Sequence, residues 1–143
     1  MAGVTELSPA EIAALLEEQL VGRIGCHADG LTYVVPVIYA YDSGSVYVLS
    51  TEGQKVDMMR ANPQVCFEVD RYDGPGRWRS VVAQGRYEEL DDEGVARART
   101  LLVERVGRRP NGASGPSRPR SDRAVVGFRI RLDGATGRAV SPD

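Results

Sequence analysis

The sequence predicts a mainly β fold: an antiparallel barrel of six strands with helices at its periphery, formed as a single domain over residues 1–143. Two observations lead there. Short apolar runs follow one another at close spacing, separated by Asp-Gly and Ser-Gly turn signals. Helical patterns occur only near the start, in the middle and near the end, which suits helices packed around a sheet closing on itself. A chain of 143 residues supports one compact core, and it contains no internal repeat.

The first element is a helix. Ser8-Pro9-Ala10-Glu11 sets a capping serine before a proline at the first helical position, with a glutamate three residues after the cap. The helix is expected from about Pro9 to Gln19, with Ile12, Leu15, Leu16 and Leu20 forming its apolar stripe.

Three strands in succession, a meander, are expected next. Arg23–His27 leads through Ala28-Asp29-Gly30 into the run Leu31–Tyr41, and Asp42-Ser43-Gly44 leads into Val46–Leu49. Pro36 cannot donate to a β ladder, so its strand is expected at an edge, at a bulge or facing a ligand. A short helix should follow Thr51–Lys55, carrying Val56, Met58 and Met59, and stop at Asn62-Pro63. Val65–Asp70 reads as the fourth strand and Trp78–Leu90 as the fifth. Asp91-Asp92 cap a third helix reaching Glu104. Residues 107–123, rich in Gly, Pro, Ser and Arg, read as a mobile loop, and Val125–Leu132 as the sixth strand.

Composition excludes several classes of function. A net charge of −2 with 27% charged residues calls for no nucleic-acid partner, and the Arg-rich stretch lacks interleaved aromatics. No apolar run is long enough to cross a membrane, and the amino terminus lacks a basic flank followed by an apolar stretch, so the protein is expected in the cytoplasm with no membrane partner. Cys26 and Cys66 have no metal-ligand spacing and His27 is the sole histidine, so no metal site is expected and both cysteines read as buried thiols. Beside a hairpin turn, His27 reads as exposed rather than catalytic. No catalytic acid or base can be assigned.

Four segments, in this order and spacing, carry a family resemblance: Gly30–Val37; Thr51-Glu52-Gly53-Gln54-Lys55; Arg60–Phe67 with its Asn62-Pro63; and Ser80-Val81-Val82-Ala83-Gln84-Gly85. Together they resemble the pyridoxamine 5'-phosphate oxidase-like split barrels, in particular the flavin-nucleotide-binding and nitroimidazole-resistance branch. The resemblance implies a split β-barrel that binds FMN at the interface of a homodimer. It places Pro36, Val37 and Ile38 beside the flavin ring through backbone groups, with Tyr39 nearest the cofactor among the strand tyrosines. Ser50, Thr51 and Lys55 would surround the phosphate, and Trp78, Ser80 and Val81 would approach from the fifth strand or across the dimer.

Elementary chemistry agrees with the phosphate assignment, since free amides at a helix start, a threonine hydroxyl and a lysine charge suit a phosphate dianion. Lys55 is the only lysine in the chain. Its alternative reading is a solvated residue at the start of a helix, a position that disfavours a cation. Arg60 reads as a surface residue or a supporting charge. The resemblance further implies an oxidoreductase acting on a small organic molecule. True pyridoxamine 5'-phosphate oxidases carry further basic and histidine residues near the carboxyl end, and Thr136-Gly137-Arg138-Ala139-Val140 does not supply them. The alternatives are a deazaflavin-dependent reductase of the same fold, or a module that carries flavin or haem without turnover.

Overall fold

The computed structural model describes residues 3–107 and 125–142. The expected loop at 107–123, with Arg108, Arg109, Arg118, Arg120 and Arg123, lies outside the described residues except for Gly107. In chain order the elements are β1 (Thr5–Glu6), α1 (Pro9–Glu18), β2 (Val21–Ala28), β3 (Leu31–Ile38), β4 (Ala40–Asp42), β5 (Ser45–Thr51), α2 (Gln54–Ala61), β6 (Gln64–Tyr72), β7 (Trp78–Glu89), α3 (Asp92–Gly107) and β8 (Val125–Val140).

Eight strands form one antiparallel sheet in the order β3-β2-β6-β7-β8-β5-β4, with β1 paired to β8, so the split-barrel class holds with two more strands than expected. The added strands are β1, only two residues long, and β4. The predicted meander is corrected by the same topology. The run Leu31–Tyr41 breaks at Tyr39: its first part pairs with β2 and its second with β5, at opposite ends of the sheet order. The break has a physical cause. Tyr39 donates its amide to the Leu20 carbonyl oxygen and its hydroxyl to that of Leu16, so the chain leaves the ladder there to bind the end of α1.

The turns are those the sequence signalled. Asp29 and Gly30 have φ of 51° and 78°, and Ser43 and Gly44 have φ of 50° and 82°, the pairs of positive angles that two-residue hairpins require. Ser8 and Glu11 form the reciprocal capping box of α1. Pro36 lies in β3, an edge strand that pairs only with β2. β8 runs well past Leu132, pairing with β7 as far as Val140, with an irregularity at Gln84/Gly85.

Alternation along the strands sends Ile24, Val37, Phe67, Val69, Val81, Phe128 and Ile130 into the core, where Leu15 and Leu16 of α1 and Val56 and Met59 of α2 join them. Arg105 of α3 donates to the carbonyl oxygens of Glu18 and Gln19, closing the carboxyl end of α1. Among the described residues no helix is long and apolar enough to cross a membrane, and no group of acidic, cysteine or histidine residues could hold a metal ion.

Candidate functional site

The Thr51–Lys55 turn joins β5 to α2. The first intrahelical bond of α2 runs from the Asp57 amide to the Gly53 carbonyl oxygen, and no side chain caps this end. The amides of residues 54–56 therefore lack intrahelical partners and face outward from the helix start. Lys55 is half-buried, and burial alone pushes its ammonium pKa down, because no carboxylate offsets the desolvation. Ser50 and Thr51 are half-buried at the end of β5, and the Ser50 hydroxyl donates to the Thr51 carbonyl oxygen at 3.1 Å.

Acidic residues also belong to this helix start: Glu52 is part of the turn and Asp57 lies in the first turn of α2. Arg60 spans Glu52 and Glu89, donating at 2.7 Å from Nη1 to Glu52 Oε1 and at 2.7 Å from Nε to Glu89 Oε1. Its role is thus a clamp that occupies Glu52, leaving Lys55 as the cation of the turn. An uncapped helix start, two hydroxyls and a partly desolvated ammonium fit a phosphate group.

A second surface is built by strand register. Pro36, Arg23, Glu68, Val82 and Thr136 are successive partners across β3, β2, β6, β7 and β8, so all five lie on the same outer face. Val34 and Ile38 flank Pro36 on β3, exposed at 62% and 50%. Asp70, Ser80 and Arg138 form the next row, and Tyr72 with Trp78 the one after. Trp78 also lines a cleft shared with Thr5, Glu18, Arg71 and Val140.

The ten residues singled out from the sequence therefore divide. Ser50, Thr51 and Lys55 sit together at the β5–α2 turn. Pro36, Ile38, Trp78 and Ser80 share the outer face. Val37, Tyr39 and Val81 point their side chains into the core and are almost wholly buried, leaving only backbone available to a ligand. Tyr39 is the clearest case, with its hydroxyl bound to Leu16 and its ring packed edge-on against Phe67 at 4.9 Å.

His27 is exposed, its Nδ1 2.9 Å from the Thr32 hydroxyl. The two cysteines are free thiols; Cys26 is buried as expected, whereas Cys66 is only half-buried because its position on β6 faces outward. The sequence reading missed an acidic pair on the outer face, Glu68 and Asp70, both bound by Arg23. Its signal was available: residues two apart on one strand share a face.

A family model described as pyridoxamine 5'-phosphate oxidase matches residues 8–139. The chain belongs to the pyridoxamine 5'-phosphate oxidase-like family. An uncharacterized protein of Rhizobium meliloti (strain 1021) is 30% identical over 143 residues, covering 95% of each chain. The crystal structure of an FAD-binding protein from Mesorhizobium loti is 36% identical and superposes with a TM-score of 0.78, covering 96% of this chain and 99% of that one. A candidate 5-nitroimidazole antibiotic resistance protein from Bacteroides thetaiotaomicron shares the fold, with a TM-score of 0.76 at 20% identity, over 97% of this chain and 89% of that one.

Proposed function

We propose that this protein is a cytoplasmic homodimer that binds a flavin nucleotide, FMN in our reading, and acts as an oxidoreductase on a small organic molecule. The β5–α2 turn carries this reading: its free amides, hydroxyls and half-buried Lys55 supply what a phosphate needs. Bound there, a flavin supplies hydride and electron transfer, and the protein's part is to hold and orient it. Ser50, Thr51 and Lys55 hold the phosphate, while the β3 backbone around Pro36 to Ile38 forms the flat wall for the ring.

The homodimer gains support from where Trp78 and Ser80 lie. Along β8, Thr51 pairs at the Val125 end and Trp78 at the Val140 end, so the two candidate contacts stand at opposite ends of one long strand. A site using both draws them from two chains. Pyridoxamine 5'-phosphate itself is not our proposed substrate, because the segment Thr136–Val140 is a paired strand without histidine.

FAD is the second reading, favoured by the FAD-binding protein from M. loti at 36% identity. Its diphosphate would use the same turn and extend beyond it. The deciding experiment is an absorbance spectrum of the purified protein, followed by mass analysis of what heat releases. A flavin absorbs near ~450 nm and a deazaflavin nearer ~420 nm; release of FMN supports the first reading and FAD the second. A protein that neither retains a flavin nor binds one on titration overturns both. With a flavin bound, the Lys55→Ala variant should bind it roughly 10- to 100-fold more weakly, the loss of a charge-assisted bond of about 1.5–3 kcal/mol.

A further inference from the structure

A cleft of about 480 Å³ opens at the end of the sheet where the β6–β7 hairpin meets β1, α1 and the end of β8. Three arginines of the hairpin line it: Arg71, Arg77 and Arg79. Their placement works against stability. Arg71 and Arg79 are directly opposite each other across β6 and β7, where like charges repel. Arg77 closes the same hairpin, its carbonyl oxygen accepting from the Asp73 amide and its amide donating to the Gly74 carbonyl oxygen.

Three carboxylates also line the cleft, and each is committed to another partner. Glu18 and Asp73 both bind Arg71, at 2.7 Å and 3.0 Å. Glu11 accepts the Ser8 amide at 2.9 Å, and its carboxyl is held below the usual range chiefly by its bonds with Ser8, with Arg79 the smallest contributor. Arg71 is thereby compensated. Among the described residues, the guanidinium groups of Arg77 and Arg79 make no hydrogen bond or ion pair. Trp78 lies between these two in the chain and is half-buried, giving the cleft an indole wall that Leu7 and Val140 continue.

We infer that this cleft is a second ligand site, and that it takes a small aromatic carboxylate: the acid group meets Arg77 and Arg79, and the ring lies against Trp78. A planar guanidinium matches a carboxylate in a two-pronged pair, and an indole gains by stacking on an aromatic ring. A carboxylate there also offsets the repulsion between Arg71 and Arg79. The site is complete within one chain. It stands at the Val140 end of β8, whereas the Thr51–Lys55 turn stands at the Val125 end, so the inference does not rest on the flavin reading.

Trp78 is the only tryptophan of the chain, so its fluorescence reports on the cleft directly. The test is a titration of the full chain with sodium benzoate, with and without added FMN, followed by fluorescence and by calorimetry. Benzyl alcohol, a ring without the charge, and acetate, the charge without a ring, are the controls. Benzoate should change the Trp78 emission saturably, and both controls should bind at least about 10-fold more weakly. Arg77→Gln and Arg79→Gln should each weaken benzoate binding roughly 10-fold and leave flavin affinity unchanged. No saturable signal up to ~10 mM benzoate overturns the site, as does binding that survives both substitutions. Either control binding as tightly as benzoate overturns the ligand class. Displacement of benzoate by FMN makes the cleft part of the flavin site and overturns a separate one. A protein that binds benzoate but no flavin supports the inference and overturns the proposed function alone.

Discussion

The Tyr39 hydroxyl donates a 2.6 Å hydrogen bond to the backbone carbonyl oxygen of Leu16, joining the point where β3 ends to the last turns of α1. The phenol is buried, and burial pushes its pKa up, so it remains a neutral donor across the working range of pH. Tyr39→Phe leaves that carbonyl without its partner and should lower stability by about 1–3 kcal/mol, read by urea denaturation. The ring itself is retained, so flavin affinity should change little. A large loss of affinity with unchanged stability would place the hydroxyl at the cofactor instead.

Gly22 is constrained by its neighbour rather than by its backbone angles. A Cβ at this position would lie 2.2 Å from Phe67 Cζ and 2.7 Å from Cε1. Phe67 is fully buried and packed against Tyr39, so it has little room to retreat. Gly22→Ala should therefore cost about 1–3 kcal/mol through overpacking, seen as a lower denaturation midpoint. An unchanged midpoint would mean that the ring moves freely.

With the phosphate held by Lys55 as proposed, flavin binding should depend on pH with a sign that follows from its burial. Burial lowers its pKa in the free protein, so the ammonium is lost at a pH below that of an ordinary lysine. A bound phosphate draws the pKa back up, and binding then takes up a proton. Affinity should fall as pH rises through the window between the lowered free value and the higher bound one. Titration of FMN between pH 7 and 10 reads this directly, and Lys55→Arg should flatten the profile because arginine stays charged. A wild-type affinity constant across that range would remove Lys55 from the phosphate.

The local devices of this fold were legible because each is written within a few residues. The Ser8–Glu11 box and the Asp29-Gly30 hairpin appear as read, and of the three settings that Pro36 allowed, an edge, a bulge or a ligand face, its strand takes an edge. The break at Tyr39 was not legible, because Val34–Tyr41 carries no polar break and the residues that divide it, Leu16 and Leu20, lie far from it in the chain. The length of β8 was hidden by Asp133-Gly134, which resembles a turn but lies in a paired strand. At the candidate site the β5–α2 turn was visible as a contiguous stretch. The outer face was not, since its rows depend on the register of five strands that only the folded sheet defines.

One feature of the sheet order bears on how the chain acquires its structure. β8, the last of the described strands along the chain, lies between β7 and β5 and carries the sheet from one half to the other. Until it emerges from the ribosome, β4 and β5 have no partner in the half formed by β2, β3, β6 and β7, although β3 and β4 are neighbours along the chain. The two strand groups cannot join until β8 has been made, and a nascent chain stalled before Val125 carries both with open edges, the form in which intermolecular pairing and dependence on chaperones are greatest.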